Sequence, residues 1–116
     1  MAVTLFMRIP ELTLAKYDRM MVDLELDANP PAGAILHVAT ESVGAVNIFE
    51  IWQTAQAAES FVEQRLRDAT RAAGVGEQLS YRIEPMHNMF AANIEMIERL
   101  GGFSLPAGLD SAALAS

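Results

Sequence analysis

Two ionisable side chains interrupt apolar, strand-like runs. His37 lies inside Ala34-Ile35-Leu36-His37-Val38-Ala39-Thr40, and Glu50 inside Val46-Asn47-Ile48-Phe49-Glu50-Ile51-Trp52. Imidazole titrates nearest neutrality of all side chains, so His37 is a candidate general base or orienting hydrogen-bond donor. The alternative is a packed histidine satisfied by one neighbour. Glu50 is the sharper anomaly, because a carboxylate on an apolar strand face is costly unless it is paired or wet. Together they are candidates for a catalytic His–Glu pair. The alternatives are a buried structural pair, or Glu50 bonded to an arginine of a helix or of a partner chain.

Four further residues are candidates for binding a substrate. Trp52 offers an aromatic wall or simply core volume. Asn47 points away from Glu50 along the strand and could orient a carbonyl or satisfy a backbone group. Tyr17 falls on the apolar stripe of a helix, where its hydroxyl needs a partner. His87, followed by Asn88 after the last strand, stands at a cavity mouth or helps cap the next segment.

The elements that must position these groups follow from hydrophobic period and breakers. Residues 2–9 place Val3, Leu5, Met7 and Ile9 on one face and Phe6 on the other, which predicts a central strand covered on both sides. Thr13 caps a helix to about Leu26, with Leu14, Tyr17, Met20, Met21 and Leu24 on its apolar stripe. Residues 27–33 form a breaker-rich loop. Residues 34–40 and 45–53 are strands joined by a four-residue loop, Glu41-Ser42-Val43-Gly44. Thr54 caps a second helix reaching about Ala73, before Gly74. A fourth strand carries Tyr81 and Ile83, and Pro85 marks it as an edge. Residues 91–100 have helical spacing, and the rest is a small-residue tail.

That loop length pairs Ile35 with Glu50 and His37 with Ile48. Ile35, His37, Ala39, Val46, Ile48, Glu50 and Trp52 then share one sheet face, with His37 and Glu50 as diagonal neighbours. A slip of one residue puts His37 on the opposite face and breaks the pair.

Composition bounds the rest. The 116 residues suit one domain at 1–90 with a helical extension and tail at 91–116. Apolar residues make up 52% and charged ones 20%, which implies a packed globule. A formal charge of −7 repels phosphate backbones and argues against nucleic acid. With no cysteine there is no disulfide and no thiolate chemistry. No run approaches the roughly 18 apolar residues of a membrane helix, and no secretory signal stands at the start, so a cytoplasmic location is expected. No cofactor is expected either. There is no glycine-rich phosphate loop or dinucleotide fingerprint, and two distant histidines make a weak metal site.

Two helices cover one face of a four-stranded antiparallel sheet and leave the other bare. Apolar residues on both faces of the first and third strands require a second cover. A second copy is the simplest one, giving a homodimer whose sheets enclose a shared cavity. The alternative is a monomer whose C-terminal segment folds over the sheet.

Pro30-Pro31-Ala32-Gly33-Ala34-Ile35-Leu36-His37, Asn47-Ile48-Phe49-Glu50-Ile51-Trp52-Gln53-Thr54, Ala58-Glu59-Ser60-Phe61 and Ile83-Glu84-Pro85-Met86-His87-Asn88 resemble the dimeric α+β barrel superfamily. The likeness is to its small members near the antibiotic-biosynthesis monooxygenase group, over roughly residues 2–90. It implies a ferredoxin-like β-α-β-β-α-β fold paired into a dimeric barrel. It also implies an enzyme of small, apolar or aromatic molecules, in concrete form a cofactor-independent monooxygenase on a quinol-like substrate. In that role His37 is the base, Glu50 orients or charge-balances it, and Trp52 with Asn47 shapes the pocket. Other members are haem-degrading enzymes, lactone isomerases and stress-induced proteins. A non-catalytic, ligand-binding or stress-associated dimer and haem ligation by His87 are the corresponding alternatives.

Overall fold

The computed structural model describes residues 1–26 and 28–100. The expected tail beyond Leu100 lies outside the described residues. In chain order the elements are β1 (Val3–Pro10), α1 (Leu14–Leu24), β2 (Ala34–Ser42) and β3 (Ala45–Trp52). A composite helix follows, made of α2 (Ala55–Ser60), a π-helical segment (Phe61–Leu66) and α3 (Arg67–Ala72). Then come β4 (Ser80–Pro85) and α4 (Ile94–Leu100). The strands form one antiparallel sheet in the order β2-β3-β1-β4. This is the split β-α-β arrangement of the ferredoxin-like α+β fold. β1 is central and β4 is an edge, with Pro85 at its end where a missing donor does no harm.

Every second residue of β1 and β3 turns under the helices: Val3, Leu5, Met7 and Ile9, then Val46, Ile48, Glu50 and Trp52, all buried. Met20, Met21 and Leu24 of α1 meet them from above. Leu14, placed on this stripe by its spacing, is 45% exposed at the helix start. Thr13 and Thr54 cap their helices as expected, accepting from the amides of Lys16 and Ala57. α1 stops two residues earlier than its spacing suggests. Glu25 adopts left-handed φ of 51° there and donates its N–H to the Val22 carbonyl.

The π-helical segment was not legible in the sequence. Its i→i+5 bonding turns Phe61, Val62 and Leu66 to the core together. In an α-helix, residues 61 and 66 would point more than a quarter-turn apart.

The β2–β3 hairpin corrects the expected register. Ser42 pairs with Ala45, so the turn is the two residues Val43-Gly44 and not a four-residue loop. Gly44 supplies the positive φ of 72° that so short a reversal demands. His37 therefore lies opposite Glu50, where a diagonal placement was expected, and Ala39 takes the place opposite Ile48. An irregularity between Ala34 and Leu36 absorbs one residue, so Ile35 does not face Glu50.

Candidate functional site

Three elements converge on one buried polar chain. Glu50 sits mid-strand between Leu5 of β1 and His37 of β2, and is 6% exposed. One carboxylate oxygen accepts the Trp52 indole N–H at 2.8 Å, from two residues along the same strand face. The other lies 2.6 Å from His37 Nδ1. His37 Nε2 in turn lies 2.6 Å from the hydroxyl of Tyr17 on α1, and the two rings are nearly parallel. Burial pushes the Tyr17 phenol well above its ordinary value, and the Glu50 charge and then Asp18 push it further. Tyr17 therefore keeps its proton and offers it to Nε2, while Nδ1–H donates to Glu50. Each carboxylate oxygen thus has a donor, which is the condition for carrying a charge in this interior. Among the described residues no buried side-chain nitrogen or oxygen lacks a partner.

This chain forms one wall of a cavity of about 290 Å³ between the sheet and the helices. Leu24 and Leu26 close it from the first helix and the following loop, and Phe61 and Leu66 from the π-helical segment. His37, Glu50 and Trp52 line the sheet side. The Trp52 and Phe61 rings tilt together at 5.5 Å. Pro30, Ala34 and Ile35 are exposed and line it too, so the mouth opens at the β2 edge. An apolar cavity of about 150 Å³ is enough for benzene, so this one admits a single substituted ring or a small bicycle.

The location corrects one expectation. The His37–Glu50 face is the one roofed by the chain's own helices, so the pair does not look into a cavity between two sheets. The reason is the strand pleat, which sends Val46, Ile48, Glu50 and Trp52 to the same side as the core residues of β1. Asn47 points to the bare face. There Arg8 Nη1 lies 3.4 Å from its side-chain oxygen, so Asn47 does not shape the helix-side cavity. On that bare face Phe6 and Phe49 pack at 5.2 Å and the Arg82 guanidinium lies over Phe6 at 4.2 Å. His87 is exposed beyond β4 and lines none of these cavities.

Sequence reasoning grouped His37, Glu50 and Trp52 correctly in space. It missed that the Tyr17 hydroxyl belongs to His37. It also missed Arg65, whose guanidinium donates to the Leu24 carbonyl at 2.8 Å and approaches the Phe61 ring. Its position four residues after Phe61, among buried neighbours, was the available signal. Among the described residues no three His, Cys, Asp or Glu side chains gather to hold a metal.

The four-stranded antiparallel sheet with its helices is similar in fold to solved structures of antibiotic-biosynthesis-monooxygenase-type proteins. SnoaB, a cofactor-independent oxygenase from Streptomyces nogalater, superposes with a TM-score of 0.57 at 13% identity, covering 76% of this chain and 95% of its own. A candidate antibiotic biosynthesis monooxygenase from Deinococcus radiodurans gives 0.55 at 14% identity, covering 80% and 99%. NE2512, a protein of unknown function from Nitrosomonas europaea, gives 0.57 at 14%, covering 79% and 96%. At these identities the likeness is one of fold. No family model and no curated protein matches the chain by sequence.

Proposed function

We propose that the chain is a cofactor-independent oxygenase of small hydroxyaromatic molecules. The observation that carries this reading is a phenolic hydroxyl, that of Tyr17, held 2.6 Å from His37 Nε2 with Glu50 behind the ring at 2.6 Å. That geometry suits proton transfer from a phenol or quinol. A substrate hydroxyl that replaces Tyr17 at Nε2 hands its proton to the imidazole, and Glu50 balances the charge. The substrate anion then reduces oxygen itself. One substrate O–H hydrogen and one ring C–H hydrogen leave with one atom of O2 as water, the other oxygen atom becomes a new ring carbonyl, and no redox group is needed from the protein. Trp52 and Phe61 would flank the ring, and the apolar walls limit the water that meets the anion. The SnoaB likeness supports the chemistry by analogy of fold only.

The test is oxygen uptake with a panel of one- and two-ring quinols, comparing wild type with His37→Ala. General-base loss lowers turnover by about 10²–10⁴-fold. Equal uptake by folded wild type and variant removes His37 from the mechanism.

A second reading has its own observation. Both ring nitrogens of His37 are already hydrogen-bonded inside the protein, which suits a non-catalytic ligand-binding domain with a structural triad. Such a protein retains aromatic ligands without consuming oxygen.

We further infer a homodimer through the bare sheet face. Phe6, Val38 and Phe49 lie there with Arg8 and Arg82, around a shallow depression of about 620 Å³. Val38 is 44% exposed, and among the described residues no helix residue lines this depression.

A further inference from the structure

A second hollow, about 390 Å³, adjoins the inner cavity, and Pro31 and Phe61 line both. Its character differs from the inner one. Thr54, Gln56, Ser60, Gln64 and Arg65 supply hydroxyl, amide and guanidinium groups. The chain has 15 acidic residues against 8 basic ones, yet among the described residues no carboxylate lines this cleft. Arg65 is half-buried and its one hydrogen bond goes to the neutral Leu24 carbonyl. Its neighbours Arg67 and Arg71 on the same helix are each paired with an acid, and among the described residues Arg65 has no acidic partner. A guanidinium has five N–H donors, so most of its capacity is left for an anion.

The two hollows are joined in a line of rings and charge. The Arg65 guanidinium carbon lies 5.5 Å from the Phe61 ring centre, and that ring lies 5.5 Å from Trp52. Phe61 thus stands between the ring site at Trp52 and the charge at Arg65.

We propose that the ligand of this protein is an aryl carboxylate, its ring in the inner cavity and its carboxylate bound by Arg65 in the outer cleft. This rests on the reading that the inner cavity holds an aromatic ring, and it specifies the molecule's other end. The carboxylate accepts from the free N–H groups of Arg65, with the Ser60 hydroxyl and Gln64 amide at the rim. Fixing the acid end sets how deeply the ring enters, and so which ring atom meets His37.

Trp52 is the chain's one tryptophan, so its fluorescence reports ring binding without any turnover. The probes are 4-hydroxyphenylacetate and its neutral isostere 4-hydroxyphenylacetamide, titrated into the full chain. The expected result is acid binding about tenfold tighter than amide, the strength of one charge-assisted contact at a partly wet site. Arg65→Gln should bring the ratio to about one, and Arg65→Lys should restore part of it. Arg65 also holds the Leu24 carbonyl, so Arg65→Gln removes a structural contact as well. Ser60→Asp, at an exposed position, supplies the second variant. It sets a carboxylate in the cleft and should likewise abolish or invert the ratio. Equal affinities in wild type, a preference that survives both Arg65→Gln and Ser60→Asp, or no binding of either probe overturns the proposal. Oxygen uptake is scored separately. Acid-selective binding without uptake sinks the oxygenase reading alone, and uptake of neutral quinols without acid preference sinks this one alone.

Discussion

Replacing Glu50 separates a charged hub from an ordinary buried polar group. Glu50→Ala removes the acceptor of two donors, the Trp52 indole N–H at 2.8 Å and His37 Nδ1 at 2.6 Å, both largely buried. Each orphaned donor costs about 1–3 kcal/mol, so the two together cost about 4 kcal/mol. Glu50→Gln behaves differently. Its amide oxygen still accepts from Trp52, and its NH2 faces Nδ1. Imidazole answers by moving its proton to Nε2, which then donates to the Tyr17 oxygen. Every contact survives with the charge gone, and the loss shrinks to about 1–2 kcal/mol. Urea unfolding followed by Trp52 fluorescence and by far-ultraviolet circular dichroism measures both variants. Destabilisation of Glu50→Ala by about 4 kcal/mol, with Glu50→Gln well short of it, is the expected outcome. The reasoning is refuted if both variants stay within about 0.5 kcal/mol of wild type, as surface substitutions do, or if Gln costs as much as Ala.

Other outcomes follow from the same geometry. Gly33 has φ of 87°, and an added Cβ would lie 2.9 Å from the Ala57 Cβ, so Gly33→Ala should cost about 1–3 kcal/mol in chemical denaturation. Tyr17 is buried as a neutral phenol with its titration raised above the ordinary 10. Its contribution to stability is fully present below about pH 10 and is lost as pH rises through the raised value, because the unfolded chain releases this proton first. Tyr17→Phe should flatten that alkaline fall in thermal melts. Ala34→Phe, at the exposed mouth of the cavity, should abolish aromatic binding by Trp52 fluorescence and change stability by no more than about 0.5 kcal/mol. Phe49→Asp on the bare sheet face should turn a dimer into a folded monomer by light scattering. A wild-type monomer at micromolar concentration contradicts the dimer.

The order of elements was legible because each rests on a local pattern: the period-2 run of β1, the threonine caps, and the Asn29–Gly33 breakers. That His37 and Glu50 share a face was also legible, since both candidate loop lengths differ by an even number of residues and the pleat is preserved. The exact partner was not. Gly44 tolerates either a two- or a four-residue reversal, and nothing local marks the irregularity beside Ile35. The side of the sheet holding the site was hidden for a different reason. Apolar residues on both faces of β1 and β3 mean that strand pattern alone does not say which face the helices take. The Tyr17–His37 contact joins residues from separate elements through the crossing of α1 over β2, a tertiary fact with no sequence period of its own.

The central claim is that a buried Tyr17–His37–Glu50 chain serves a small-molecule cavity beneath the helices. Oxygen uptake with a bicyclic quinol, measured for wild type and for His37→Ala of confirmed fold, tests it most directly. Uptake above the spontaneous rate in wild type, reduced at least about 10²-fold in the variant, is the expected result. Uptake identical in the two proteins, or absent from both across the quinol panel, contradicts it.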